Sequence, residues 1–360
     1  MLIEQRQLVG DSGAEAVFQT ILTHANTSES LNQLLKIHFS ARLLESVNEV
    51  VNTYLSAGVN NNAYTKDFFL KPLKELRAYR RIADPAYYND TNLRALSYFF
   101  EAHAEWQSKN SQTIRYSLSR IDSAILLQPN AAYVYNIKGL LLNRAYRYNE
   151  AAAYLSKGRE LAPGWIYPAH NLAISLLGKG LTDSAEKLQR YVISLDTTYQ
   201  TSYNGMAWIK HAKGRIDSAI LYCKQGLRHD PKDPWLWKTL GFMYLIPKNY
   251  SQALKALHNA HLNDTNDIET INLLLRAHIG LDQPDSIWYY MRKCLSAAKP
   301  DEKAQAFLAL GQTLQLYGLD TLAHMYFKIA CDKDSLLSDA WYERGNTLYK
   351  LKCYNNALVC

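Results

Sequence analysis

Polar side chains recur at one position of a regular series in the middle of the chain. The series places a residue every 34 positions and consists of Asn136, His170, Asn204, Lys238 and Asn272. Asn171 stands beside the second member. Amide groups donate and accept hydrogen bonds, so stacked amides could hold the main chain of an extended peptide, one backbone group per repeat. The spacing predicts a polar ladder that binds a protein segment without a fixed sequence.

Aromatic side chains accompany the ladder. They are Tyr133, Tyr167, Trp208, Trp235 and Phe242. Tyr and Trp are enriched among the residues that dominate binding energy, because they supply large, rigid contact areas. The alternative is that these aromatic rings stack between neighbouring repeats and that the Asn side chains are merely solvated. The sequence leaves both interpretations open.

Small residues in the same period indicate which elements position these side chains. The first small series is Gly139, Ala173, Ala207, Gly241, Gly311 and Gly345, and the second, twelve residues later, is Ala151, Ala185, Ala219, Ala253, Ala323 and Ala357. Bulky residues such as Trp237 and Trp341 precede the first series by four. Two antiparallel helices approach closely only where side chains are small. The sequence therefore predicts stacked antiparallel helix pairs.

The array resembles the tetratricopeptide repeat (TPR) family, whose pattern is W-x2-LG-x2-Y, then A-x3-F-x2-A and a Pro. The best copy runs from Pro234 to Asp267 and contains Trp237, Leu240, Gly241, Tyr244, Ala253, Leu257 and Ala260, with Thr265 in place of the final Pro. The resemblance implies an all-α fold, a right-handed superhelical solenoid of antiparallel helix pairs, in which the first helix of each pair lines the concave groove. It also implies a role in binding proteins.

The repeat period divides the chain into two regions. Residues 98–360 form an array of seven to eight 34-residue repeats, the last of them incomplete, and residues 1–97 form a helical N-terminal region with one diverged, repeat-like segment. Within that region, the pattern predicts helices at 12–25, 28–55 and 67–85, a loop at 57–63, and a joining helix at 92–107. The copy at 268–303 departs most, because Leu275 and Ile287 replace both small residues.

Motifs for catalysis are absent from the sequence. It contains no GxxxxGK[ST], GxGxxG, HExxH, GxSxG or CxxC motif, so we expect no enzyme, no cofactor and no metal. His258 and His261 share one helical face without a convergent carboxylate, and we interpret them as surface or packing residues. Cys223 occupies a core position, which predicts a buried, inert thiol.

The net charge of the central repeats favours one class of partner. Residues 132–267 contain 17 Lys and Arg against 10 Asp and Glu, which equals the net charge of +7 of the whole chain. A mildly basic groove favours acidic peptides. RNA is a weaker alternative, because the basic residues are scattered and form no dense patch. A clamp for a C-terminal carboxylate of the kind found in some TPR domains does not match, since Asn136 and Leu140 stand where Lys and Asn are required.

The resulting prediction is a non-catalytic protein-interaction scaffold. The chain has no apolar stretch that could span a membrane and no apolar run of a secretion signal at its start, so we expect a cytoplasmic protein. A second hypothesis is a docking or regulatory region of a larger peptidase or signalling protein. The incomplete last repeat also suggests self-association through the apolar end near Leu358 and Val359.

Overall fold

The computed structural model describes residues 16, 18, 20, 29–56, 66–83, 90–104, 110–298, 300 and 303–357. All of the regular secondary structure in these residues is helical. The four helices that begin the described chain are α1 (Glu29–Leu55), α2 (Lys66–Ile82), α3 (Thr91–Ala104) and α4 (Ser111–Leu127). The predicted helices at 28–55 and 67–85 are confirmed, with the second ending earlier, at Ile82. The predicted loop at 57–63 and most of the predicted helix at 12–25 lie outside the described residues.

Helix pairs in the predicted 34-residue period follow. They are α5 (Ala132–Arg144) with α6 (Tyr148–Leu161), α7 (Ile166–Gly178) with α8 (Thr182–Leu195), α9 (Gln200–Ala212) with α10 (Ile216–His229), α11 (Pro234–Leu245) with α12 (Tyr250–Asn263), α13 (Ile268–Gly280) with α14 (Pro284–Ala297), α15 (Lys303–Leu316) with α16 (Asp320–Lys333), and α17 (Ser338–Lys350) with α18 (Tyr354–Ala357). The described part of the joining helix predicted at 92–107 is α3, and residues 105–107 lie outside the described residues. The atypical copy still forms two regular helices, because Leu275 is buried in its own core and Ile287 packs against that core.

The small residues lie where the two helices of a pair cross, as predicted. A Cβ added to Gly241 would lie 2.5 Å from the side chain of Leu257, and one added to Gly311 would lie 2.5 Å from the ring of Phe327. Real Cβ atoms do not approach other atoms this closely, so only glycine fits at these crossings. Ala253 of the second series is fully buried.

The turn inside each helix pair uses a left-handed residue. The residues with positive φ are Tyr146, Gly180, Gly214, Lys248, Asp282, Gly318 and Lys352. They repeat with the period of the array, so every pair is closed by the same backbone conformation. Glycine adopts this conformation without steric cost, whereas other residues adopt it at a cost of about 1 kcal/mol or more.

The described chain packs as two compact units. Unit 1 comprises residues 1–107 and 115–175, and unit 2 comprises residues 108–114 and 176–360. The boundary predicted at 97/98 falls inside unit 1, within α3. The packing units and the sequence period therefore divide the chain at different places, because α5 packs against α1 and α3 through Asn136 and Tyr133.

Glu75 and His103 are buried ionisable groups in the core of unit 1. Ser46 Oγ donates a hydrogen bond of 2.9 Å to Oε1 of Glu75, which is fully buried, and burial raises the pKa of Glu75. His103 stacks on Phe69 with ring centroids 3.5 Å apart. Burial lowers the pKa of His103 to about 3, so this imidazole is neutral at physiological pH. Both groups lie in the core and are therefore structural.

Candidate binding groove

The predicted groove residues of unit 1, both polar and aromatic, are buried. The buried set is Tyr133, Asn136, Tyr167, His170 and Asn171, and each is at most 9% exposed. Asn171 Nδ2 donates a hydrogen bond of 2.9 Å to Oδ1 of Asn136. The Nδ2 of Asn136 in turn donates to the hydroxyl of Tyr54 at 2.9 Å. The amides are therefore satisfied inside the protein.

Tyr54 explains why this face is closed. It lies one residue before the end of α1 and is 4% exposed. Its ring stacks on Tyr167 at a centroid distance of 6.1 Å and meets Trp165 edge to face at 5.5 Å. The five predicted residues of unit 1 therefore lie in buried positions: the end of α1 covers Asn136 and Tyr167, and Phe99 of α3 packs against Tyr133. Their role in binding stays a prediction. Tyr54 and Asn136 are 82 residues apart in the sequence, and the repeat pattern does not predict a contact between them.

The ladder residues of unit 2 also bond within the protein. Asn204 Oδ1 accepts from the hydroxyl of Thr239 at 2.9 Å, and Asn272 Oδ1 accepts from the hydroxyl of Thr313 at 2.6 Å. Each bond joins the first helix of one pair to the first helix of the next. Asn204 and Asn272 are nevertheless partly exposed. The amide oxygens are therefore not merely solvated, since each accepts a hydrogen bond that ties neighbouring repeats together.

Lys238 is paired with carboxylates. Its Nζ lies 3.0 Å from Oδ2 of Asp267 and 2.8 Å from Oε2 of Glu269, and it stands 4.0 Å above the ring centroid of Trp235. The two carboxylates raise the pKa of the Lys238 ammonium, while burial opposes them as the largest single influence. Lys238 therefore contributes little free positive charge to the inner face of unit 2.

Other basic side chains of the central repeats are paired in the same way. Lys210 and Lys213 of unit 2 both donate to the carboxylate of Glu186, at 2.7 and 2.6 Å. These two hydrogen bonds lower the pKa of Glu186 to about 2. In unit 1, Lys138 pairs with Asp122. Net charge therefore overstates how basic the inner helices are.

A row of side chains lies on the first helices of unit 2, with Trp208 exposed and Phe242 and Arg276 partly buried. Trp208 on α9, Phe242 on α11 and Arg276 on α13 occupy the same position of three successive repeats, 34 residues apart. The rings of Trp208 and Phe242 lie 5.2 Å apart, and Cζ of Arg276 lies 5.8 Å from the Phe242 centroid. Trp208 is 37% exposed. We call these three residues the inner row; His211 flanks it, 5.6 Å from Phe242.

Two of the three members of the inner row, Trp208 and Phe242, are among the aromatic residues that the repeat pattern predicts for the groove. Arg276 was missed because the ladder was followed at the fifth position of each repeat, whereas Arg276 occupies the ninth. Its spacing of 34 from Phe242 is the signal that could have found it. Trp235, at 47% exposed, lies outside the row and stacks with Lys238.

The His and Cys side chains considered above for metal binding or reactivity lie in surroundings that do not suit those roles. His261 Nε2 lies 2.8 Å from Nζ of Lys293, a neighbour that a metal ligand would not have. Within the described ranges no group of three or more His, Cys, Asp or Glu is placed to hold a metal ion. Cys223 is buried as predicted, and burial raises the pKa of its thiol to about 12.

The C-terminal face of unit 2 is aromatic. Tyr342, Tyr349 and Tyr354 are each more than half exposed and line a shared depression with Trp341. Leu358 and Val359, through which self-association was predicted, lie outside the described residues. Self-association at this end stays a prediction.

Comparison with known proteins identifies the fold. No protein-family profile matches the chain. Superkiller protein 3 of Schizosaccharomyces pombe, strain 972, is 25% identical over 166 residues, which is 44% of this chain and 12% of that protein. The Cut9 and Hcn1 hetero-tetramer of the APC/C superposes with a TM-score of 0.54 at 16% identity, over 93% of this chain and 63% of the matched one. Yeast Tom70 superposes with a TM-score of 0.53 at 18% identity, over 84% and 59%.

These neighbours are TPR proteins. The chain has the fold of tetratricopeptide-repeat proteins. The predicted all-α solenoid of helix pairs is confirmed. The TPR chain spans less than two thirds of the length of these relatives. Across the described helices, none is long and apolar enough to cross a membrane.

Proposed function

We propose that this TPR protein is a non-catalytic scaffold of the cytoplasm that binds a segment of a protein partner on the first helices of unit 2. The inner row carries the proposal. Trp208 and Phe242 present flat apolar area in contact with each other, and aromatic side chains in such clusters dominate the energy of protein interfaces. The similarity to interaction scaffolds among TPR proteins is consistent with this role.

The proposed site is smaller than the sequence suggested. We leave the five predicted residues of unit 1 out of the proposed site, because all five are buried. In unit 2, Asn204, Lys238 and Asn272 are engaged with neighbouring side chains and flank the site rather than form its centre. The partner therefore makes its main contacts with side chains of the inner row and not with a ladder of amides.

The test is affinity capture with a matched control. The bait is the chain, beside a Trp208→Ala/Phe242→Ala variant and a Trp288→Ala/Tyr289→Ala variant. Trp288 and Tyr289 lie on α14 and are 62% and 55% exposed, so the control removes one Trp and one further aromatic ring elsewhere on unit 2. We expect one partner to be captured by both the parent and the control. Calorimetry with the purified partner should then show an affinity for the inner-row variant that is at least tenfold weaker than for the parent. Equal loss in the control, or no loss in the inner-row variant, would show that the row is not the binding surface.

RNA is the competing ligand class. A solved structure of IFIT1 bound to m7Gppp-AAAA superposes with a TM-score of 0.59 at 13% identity, over 95% of this chain and 92% of that one. Against RNA, Lys210, Lys213 and Lys238 are already paired with carboxylates. Fluorescence anisotropy with single-stranded oligoadenylate at 50 and 200 mM salt tests this directly. Tight binding that falls steeply with salt would favour RNA over a protein partner.

A further inference from the structure

Arg276 differs from the other inner basic residues of unit 2 in lacking a carboxylate. Lys210, Lys213 and Lys238 each lie within 3.0 Å of an acidic oxygen. Among the described residues Arg276 forms no ion pair with an Asp or Glu, and its buried Nε has no hydrogen-bond partner. The guanidinium is thus a partly buried cation without a counterion.

The surroundings of Arg276 hold its side chain in place. The backbone carbonyl of Arg276 accepts a hydrogen bond of 2.9 Å from the hydroxyl of Tyr317. The guanidinium lies over the ring of Phe242. Burial lowers the pKa of Arg276, while the nearby Tyr250 and Tyr317 oppose that shift only weakly. Neutral rings and hydroxyls therefore surround the cation on the inner row.

A cation in such surroundings is unfavourable in the free protein. Taking a charge partly out of water costs free energy unless an opposite charge or a full set of hydrogen bonds compensates it. Uncharged polar or apolar residues would fill the same position at lower cost. A ligand that supplies the missing acceptor would recover this free energy on binding, so the arrangement favours an anionic ligand.

We propose that Arg276 binds a carboxylate of the partner segment, while an aromatic or large aliphatic side chain of the same segment packs on Trp208 and Phe242. The proposal rests on the proposed function and specifies the chemistry of the partner. The planar guanidinium offers several donors that match the two oxygens of a carboxylate. Phe242 lies between Trp208 and Arg276, so adjacent residues of one segment reach both.

A single negative charge fits this site better than a phosphate. A phosphate group carries close to two charges and three strong acceptor oxygens, and its sites gather several cations. Lys210 and Lys238, on the same helices as the inner row, are already paired with Glu186, Asp267 and Glu269. One guanidinium beside aromatic rings is therefore the recognition element for an Asp or Glu side chain or a chain-terminal carboxylate next to an apolar residue.

Selection from random peptide libraries tests the proposal without knowing the partner. The full chain is panned with two libraries, one displaying internal segments and one displaying free C-termini, and peptides that also bind the Trp208→Ala/Phe242→Ala variant are discarded. We expect the remaining sequences to place a carboxylate next to an aromatic or aliphatic residue. Enrichment from the first library identifies a side-chain carboxylate, and enrichment from the second alone identifies a terminal one.

Synthetic peptides then measure the role of Arg276. An enriched peptide is compared with its Glu→Gln or C-terminally amidated form on the parent, on Arg276→Gln and on Arg292→Gln. Arg292 lies exposed on α14, so its substitution is the matched loss of one positive charge. We expect the carboxylate to improve affinity at least tenfold on the parent and on Arg292→Gln, and less than twofold on Arg276→Gln. The melting temperature of Arg276→Gln should be no lower than that of the parent, because an uncompensated charge is removed.

The outcomes separate this proposal from the proposed function. If peptides bind in a way that needs Trp208 and Phe242 but show no carboxylate preference, or keep that preference in Arg276→Gln, the role of Arg276 is refuted and the inner row remains a binding surface. If no peptide depends on Trp208 and Phe242, the proposed function and the inference on Arg276 both fail. A melting temperature lowered by several degrees in Arg276→Gln would indicate a structural role instead.

Discussion

The side-chain amide of Asn136 donates its hydrogen bond to the hydroxyl of Tyr54, which comes from a helix 82 residues earlier in the chain. This bond turns a position that repeat patterns assign to ligand binding into part of the core of unit 1. Tyr54 also contacts Trp165, Tyr167 and His103, so one residue of α1 fills the space that a ligand would need. The N-terminal region is therefore an integral part of unit 1.

Truncation of Tyr54 should destabilise unit 1. Removal of a buried aromatic ring costs about 3 to 5 kcal/mol of unfolding free energy. Tyr54→Phe keeps the ring but leaves the buried amide of Asn136 short of one acceptor, which costs about 1 to 3 kcal/mol. We expect hydrogen exchange to rise in α1, α5 and α7 of both variants, more in Tyr54→Ala. Leu126→Ala, at a side chain that is 83% exposed, should change stability by less than about 0.5 kcal/mol. Unchanged exchange in Tyr54→Ala would contradict the role of this contact.

The bond between Asn204 and Thr239 should couple two repeats energetically. We expect a double-mutant cycle of Asn204→Ala and Thr239→Val to give a coupling free energy of about 0.5 to 1.5 kcal/mol, the net value of an intramolecular hydrogen bond. Urea unfolding of the parent, both single variants and the double variant provides the measurement. A coupling near zero would mean that Asn204 does not tie the repeats together and is available to a ligand.

The repeat period predicts the positions of the helices more reliably than it predicts which side chains on their inner faces are free to bind a ligand. The crossings at Gly241 and Gly311 follow from local chemistry, since only a small residue allows the helices to approach. The closure of unit 1 by Tyr54 depends on a distant segment outside the period, and no spacing rule encodes it. The pairing of Lys238 with Asp267 and Glu269 depends on which rotamers meet across adjacent repeats. Counting charges therefore could not reveal that this lysine is neutralised.

Gly241 should not tolerate even the smallest side chain. A Cβ at this position would lie 2.5 Å from Leu257, so Gly241→Ala forces the helices α11 and α12 apart and should cost about 1 to 3 kcal/mol. Gly164→Ala is the matched control, because a Cβ there would meet nothing within 4 Å. Thermal unfolding of the two variants is compared with the parent. Equal melting temperatures for both variants would show that the crossing can relax without loss.

Glu186 should contribute to stability only above acidic pH. The hydrogen bonds from Lys210 and Lys213 hold its pKa at about 2, below the ordinary value of 4.5. The folded state therefore favours the ionised carboxylate, and this stabilisation is complete above the unfolded pKa and is lost as pH falls from about 4.5 towards 2. We expect Glu186→Gln to lower the unfolding free energy by about 1 to 3 kcal/mol at pH 7, the value of hydrogen bonds to a charged group. The difference between parent and variant should shrink steadily below pH 4.5 in urea titrations repeated at each pH. Glu160→Gln, at an exposed ion pair with Lys157, serves as the control and should change stability by less than about 1 kcal/mol at every pH. A difference for Glu186→Gln that stays constant between pH 7 and pH 3 would contradict the lowered pKa, because protonation would then leave the interaction intact.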